Sequence, residues 1–259
     1  MAIAPTGAIF KTLTFDSVLS STYGIYITGE AVFNAPTRDV NMITIPGRNG
    51  LFAQDNGRFD NITVTYPAGL FGATEADFRA GIESLRDQFC SRVGYKKLSD
   101  DYNPNEFRMA VYKSGLEVTP ETLRAGTFDL TFECMPQRFL TSGDTFQTMA
   151  LYGYLDNPTP YDAAPVFAVK GYGTFQIRDG NFVTSTITVS QLPGESRIIY
   201  IDCSTGFAFY QNPGGKENAG SRVTLPTELP VLTPSGHNQI MQLDATITQL
   251  AIQPRWWRV

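Results

Sequence analysis

Apolar and polar residues alternate along most of this chain, and this period of two restricts its fold more than any other feature. The clearest run spans residues 128–134, where every even-numbered residue is apolar and every odd-numbered one is polar. Successive side chains of a β-strand point to opposite faces, so the run predicts a strand with one buried and one solvated face. The runs 62–66 and 107–111 predict two more, with Phe107 on the buried face of the second.

One segment has a helical period instead. Its apolar positions lie three or four residues apart and share one face: Phe78, Ile82, Leu85 and Phe89. Thr74 and Asp77 have the spacing of a capping box, so we expect the helix to begin there and to end between Cys90 and Arg92. No second helix is predicted, so the apolar stripe should pack on a sheet.

Two clusters of turn-forming residues, at 141–144 and 156–160, interrupt the pattern. We therefore predict a mainly β protein with an N-terminal α+β domain at 1–140, a linker at 141–160 and an all-β domain at 161–259. Regularly spaced short strands are typical of a sandwich or barrel. The predicted strands of the second domain are 166–170, 173–177, 184–189, 197–202, 207–211, 229–232, 238–243 and 246–253.

Composition excludes several classes of protein. Of the 259 residues, 42% are hydrophobic and 17% charged, which is typical of a folded chain. Lys and Arg number 20 against 25 Asp and Glu, a net charge of −5 that argues against a nucleic-acid-binding surface. No apolar stretch is long enough to span a membrane. The three cysteines are widely spaced and odd in number, which predicts buried thiols in a reducing cytosol rather than disulfides or a zinc site.

Catalytic motifs are missing from the sequence. The single histidine, His237, lies in a turn-like segment at 233–238, where a solvated loop residue is the simplest interpretation. No metal-binding, phosphate-binding or nucleophile motif is present. We therefore predict no enzyme, no catalytic residue, no cofactor and no metal. A hydrolase with two carboxylates stays a distant alternative, because sequence does not reveal such a pair.

Four segments, in order along the chain, carry a resemblance to a known family. They are IPGRNG at 45–50 with GRFDNI at 57–62, the helix leading into GYKKL at 94–98, FDLTFECMPQRF at 128–139 and IQPRWWR at 252–258. In this order they resemble the distal tail proteins of long, non-contractile-tailed bacteriophages.

The resemblance implies a structural virion protein assembled in the host cytoplasm. The first domain would form a homohexameric ring around a channel, and the second would be a galectin-like β-sandwich. The implied partners are other copies of the chain, the tail tube protein, a tail-tip or tail-fibre protein and receptor-binding proteins. DNA would only pass through the channel, and no membrane is involved. The alternative is a carbohydrate-binding module that recognises host-surface glycans through the second domain.

Five residues are candidates for contacts with partners. Arg48 and Asn49 lie in a glycine-flanked turn, either touching a neighbouring subunit or exposed at a hairpin tip. Arg138 could pair with a carboxylate of the hinge or of a neighbouring subunit, or form a local surface pair. Trp256 and Trp257 face opposite ways on a strand, so one could stack on a glycan or a partner while the other is buried.

Overall fold

A computed structural model of the chain describes residues 10–28, 34–91, 93–180, 182–192, 194–234 and 236–259. These residues divide into two compact units, Met1–Arg138 with Val259, and Phe139–Arg258. The described part is dominated by strands and has a single α-helix, which confirms the mainly β fold class. The predicted helix end at Arg92 lies outside the described residues, and the structure ends the helix at Cys90.

The first unit contains one large antiparallel sheet, one helix and a separate hairpin. Its strands are β1 (Leu13–Phe15), β2 (Val18–Leu19), β3 (Ile25–Ile27), β4 (Arg38–Thr44), β5 (Leu51–Phe59), β6 (Ile62–Phe71), β7 (Lys96–Asp100), β8 (Glu106–Tyr112), β9 (Thr119–Thr122) and β10 (Ala125–Leu140). The sheet has the order β2-β1-β7-β8-β10-β6-β3, and β9 pairs with β10. The strands β4 and β5 pair only with each other.

The helix α1 (Glu75–Cys90) begins as the sequence predicts. The Thr74 hydroxyl accepts a hydrogen bond from the Asp77 amide, and the Asp77 carboxylate accepts one from the Thr74 amide. Leu85 and Phe89 are almost fully buried in the core that the helix shares with the sheet. Phe89 stacks on Phe15 of β1 with 5.5 Å between ring centroids. The apolar stripe therefore packs on a sheet, as expected.

The alternation is only partly right for β8, because both faces of this strand carry buried residues. Ala110 and Tyr112 point into the core of the first unit, with 0% and 6% exposure. Phe107 faces the other way and is also buried, with 7% exposure, and the Lys97 ammonium lies 3.9 Å from its ring centroid. The aliphatic stem and charge of a neighbouring lysine can cover an aromatic ring outside the core. An apolar residue at every second position therefore does not by itself identify the core face.

The second unit is a sandwich of two antiparallel sheets. Its strands are β11 (Gln147–Thr148), β12 (Tyr152–Asp156), β13 (Val166–Gly171), β14 (Gly173–Asp179), β15 (Phe182–Val189), β16 (Ile198–Asp202), β17 (Phe207–Asn212), β18 (Gly215–Asn218), β19 (Val223–Thr224), β20 (His237–Gln242) and β21 (Ile247–Gln253). The two-residue strand β22 (Trp257–Arg258) belongs to neither sheet and pairs with β10. One sheet has the order β11-β21-β13-β16-β17-β18 and the other β12-β20-β14-β15-β19. Both sheets contribute to one core, in which Phe167 and Phe175 lie 5.0 Å apart.

The segment expected to be a linker differs in the structure. Residues 141–160 lie within the second unit, where β11 pairs with β21 and β12 pairs with β20. The predicted strand at 229–232 contributes only an isolated bridge between Leu232 and Ala163. Short edge strands such as β11 and β12 are hard to predict from the sequence because two to five residues carry little periodicity. The galectin-like character of the sandwich stays a prediction.

Candidate assembly interface

The hairpin of β4 and β5 is a largely exposed element of the first unit. Every residue from Asn41 to Arg58 is exposed to solvent. The register pairs Ile43 with Phe52 and Thr44 with Leu51, so the strands run together up to the turn. An isolated two-stranded hairpin is marginally stable in water. A partner that covered this hairpin would therefore stabilise it.

The tip half of this hairpin is apolar on both faces. Met42 and Leu51 lie on one face, with 57% and 53% of their surfaces exposed. Ile43 and Phe52 lie on the opposite face, with 42% and 46% exposed. Exposed apolar patches on monomeric proteins commonly mark interaction sites. Because both faces carry one, a partner must cover each face to remove the patches from water.

The base half of the hairpin is joined by ion pairs between its two strands instead. The Arg38 guanidinium contacts the Asp55 carboxylate, and Arg58 Nε contacts Asp39 Oδ2. Hydrogen bonds from Arg58 and Asn56 lower the pKa of Asp39, and those from Arg38 and the Gly57 amide lower the pKa of Asp55. These pairs are solvent-exposed and so contribute modestly. They orient the base and leave the apolar tip projecting.

Arg48 and Asn49 lie at the tip of this hairpin, and both are exposed. Gly47 and Gly50 on either side have φ angles of +79° and +81°, the left-handed region that glycine adopts without steric cost. Neither the Arg48 nor the Asn49 side chain has a hydrogen bond or ion pair to another described residue. The contact of this pair with a neighbouring subunit stays a prediction.

Arg138 is paired within its own chain. Its Nη1 lies 3.2 Å from Glu106 Oε2, and its Nη2 donates a hydrogen bond to the Val259 carbonyl at 2.8 Å. Both groups belong to the first unit. Arg138 and Glu106 line a cleft of about 30 Å³, which Arg108 also lines. Burial lowers the pKa of the Arg108 guanidinium. Arg138 thus ties the end of β10 to β8, and a contact with another subunit is left as a prediction.

The two adjacent tryptophans occupy different environments in the second unit. Trp256 is only 4% exposed and lies in the sandwich core, so its ring has no face free for a glycan. Trp257 is partly exposed and stacks on Tyr161 at 4.3 Å, while its Nε1 donates to the Asp162 carbonyl. Of the pair, only Trp257 is positioned to touch a glycan or partner, and that contact is untested.

Sequence reasoning missed the four apolar residues of the hairpin: Met42, Ile43, Leu51 and Phe52. A signal was present, because MI and LF are adjacent apolar pairs on either side of the PGRNG turn. Adjacent strand residues face opposite ways, so such pairs put apolar surface on both faces.

The described residues hold no cluster of three or more metal-ligating side chains. None of the described helices is long and apolar enough to cross a membrane.

The chain is similar to known phage tail proteins in sequence and in fold. Residues 19–134 match the family described as the phage tail protein RIFT-related domain. No match was found among curated protein sequences.

Among solved structures, the Dit protein (gp 19.1) of phage SPP1, a hub of the adsorption apparatus in phages that infect Gram-positive bacteria, is similar with a TM-score of 0.66. It is 14% identical, and the match covers 93% of this chain and 96% of that one. Two structures of the phage p2 baseplate in its activated conformation, one with Ca and one with Sr, each match with a TM-score of 0.60. Each is 8% identical, with 95% of this chain and 97% of the other covered. These likenesses confirm the resemblance found in the sequence. Residues 19–134 therefore match the phage tail RIFT-related domain family, and the chain as a whole has the fold of a siphophage distal tail, or hub, protein.

Proposed function

We propose that this protein is the structural hub of a siphophage tail tip, in which six copies form a ring around a channel that lets DNA pass. The ring joins the tail tube on one side to the tail-tip or tail-fibre protein on the other, with receptor-binding proteins as further partners. The family of residues 19–134 and the fold of the whole chain support a structural tail protein. The role is non-enzymatic, and the protein is a component of the virion.

One observation supports self-assembly most directly: the hairpin tip is apolar on both faces and fully outside the core. In a closed ring each subunit meets two neighbours through two different surfaces. A hairpin placed between subunits has both faces covered, whereas a hairpin lying on a single partner keeps one face in water. The observation therefore favours a ring over a simple dimer.

Light scattering coupled to size-exclusion chromatography tests the ring, together with negative-stain images of the same fractions. We expect a discrete species of about six chains with a central hole. Purified tail tube and tail-tip proteins should each co-migrate with this species. A protein that stays monomeric and binds neither tail protein contradicts the proposal.

A further inference from the structure

The two sheets of the second unit have four outer edges, and two stretches of them are open: β12, and the part of β15 before Thr188, which β19 leaves unpaired. β11 and β19 are only two residues long, and β18 carries Lys216 and Glu217. β12 has five residues, contains neither proline nor lysine, and pairs on one side only, with β20. Among the described residues no other strand pairs with β12. Natural proteins keep edges short or charged because an open edge accepts foreign strands, and β12 has only Asp156, at its far end, as such a device.

The side chains of β12 present a fixed aromatic face beside this edge. Leu155 points into the core with 8% exposure, whereas Tyr152 and Tyr154 point outward with 54% and 65% exposure. Gln239 Nε2 donates a hydrogen bond to the Tyr154 hydroxyl at 3.2 Å, which fixes that ring. Asp156 is the only charged residue on the strand, and it lies at the far end beside His237. The rest of the edge is uncharged.

The surroundings of the two tyrosines favour a polypeptide over a sugar. Leu151, just before β12, is 51% exposed, and Leu243, just after β20, is 45% exposed. The main chains of these two segments are joined by a hydrogen bond from the Gln242 amide to the Leu151 carbonyl at 3.1 Å. Leucine has no group that can bond to sugar hydroxyls, while apolar and tyrosine surface together are typical of protein interface cores.

We propose that β12 is a docking edge, to which an extended segment of a neighbouring tail protein adds as an extra strand. Its main chain pairs with the open side of β12, and apolar side chains at every second position lie beside Tyr152 and Tyr154. In such β-augmentation the main-chain hydrogen bonds supply affinity and the alternating side chains supply specificity. The inference rests on the proposed function, since the tail supplies the neighbour.

Hydrogen–deuterium exchange tests this by comparing the free protein with the same chain in purified tails of the phage that encodes it. The amides of β12 that face away from β20 should exchange at least tenfold more slowly in tails. Strand β18, the charged edge, is the internal control and should not change. Equal exchange of β12 in both samples overturns the inference while leaving the hub role intact. Absence of the chain from tails overturns the proposed function itself.

Two further exchange measurements test whether a molecule other than a tail protein binds to β12. Protection of β12 on concentrating the free protein would assign the edge to a second copy, and protection by soluble polysaccharide from the host envelope would assign it to a sugar. Either result overturns the inference.

Lysine substitutions test the tyrosine face. Tails built from a Tyr154→Lys chain should lose the tenfold protection or fail to form, because a lysine on an edge strand opposes pairing. The matched control is Phe182→Lys, which changes an aromatic residue that is 80% exposed on β15, a strand that does not pair with β12. Its tails should keep the protection. Full protection of β12 in Tyr154→Lys tails overturns the inference.

Discussion

The apolar hairpin leads to a quantitative prediction about ring assembly. Ile43 and Phe52 face each other across β4 and β5, with 42% and 46% of their surfaces exposed. Full burial of such a side chain stabilises by about 1.5–3 kcal/mol, so covering the exposed half of each contributes about 1 kcal/mol. Removing both apolar groups should therefore weaken each contact by about 2 kcal/mol, or about 30-fold in its dissociation constant.

The variant suited to this test is Ile43→Thr combined with Phe52→Thr. Threonine keeps the β-branched shape that strands favour while it removes most of the apolar surface. Because both positions are exposed in the free chain, the melting temperature of the monomer should change little. The matched control is Phe182→Thr, which removes an aromatic residue that is 80% exposed in the second unit.

Sedimentation velocity over a concentration series measures the effect. We expect the double variant to dissociate at concentrations about 30-fold higher than the parent, and the control to behave like the parent. An unchanged dissociation profile in the double variant, at an unchanged melting temperature, would refute the reasoning that the hairpin carries the contact.

Three further predictions concern the fold. A Cβ at position 143 would lie 2.6 Å from the Trp256 amide nitrogen, so Gly143→Ala should cost about 1–3 kcal/mol and lower the melting temperature of the second unit, whereas Gly214→Ala, with open space around it, should not. Of the three thiols expected to be buried, Cys134 and Cys203 are buried but Cys90 is exposed. Burial raises the pKa values of Cys134 and Cys203 to about 12, so a thiol reagent at neutral pH should label only Cys90 until urea unfolds the chain. Burial opposes ionisation of Asp202, but hydrogen bonds from Ser204 and the charge of Arg255 outweigh it and lower its pKa below the ordinary 3.8. A carboxyl group whose pKa is lowered on folding stabilises the fold at pH values above its ordinary pKa, and this contribution is lost as the pH falls through the lowered pKa. Asp202→Asn should therefore make the melting temperature depend less on pH at the acid end of the profile.

Local patterns in the sequence predicted local structure well. The capping pair Thr74 and Asp77 and the four-residue apolar stripe gave the helix and its buried face, because both signals lie within the element they describe. The alternation at 128–134 likewise matches buried residues of β10. For β8 the same rule holds only in part: Phe107 is buried as predicted and is covered by Lys97 of another strand, but Ala110 and Tyr112 of the opposite face lie in the core.

The candidate interface was harder to predict than the fold. The apolar pairs beside the PGRNG turn are visible in the sequence, but their exposure follows from β4 and β5 pairing with no other strand of the described chain. Arg138 finds its carboxylate on β8, and no local pattern relates residues 106 and 138. Burial of Trp256 rather than Trp257 depends on how the terminal segment meets the sandwich core. Each of these outcomes is set by contacts between segments distant in the chain.

The continuity of β10 has a mechanical consequence. This strand runs unbroken from Ala125 to Leu140, and its last two residues already belong to the second unit. From Ala125 to Cys134 it pairs with β6 inside the sheet, with β8 on its other side. Tension along β10 loads these hydrogen bonds in shear, so many bonds share the force and none is peeled away first. Under the proposed hub role, a pull along β10 would therefore be shared by many hydrogen bonds of the sheet at once.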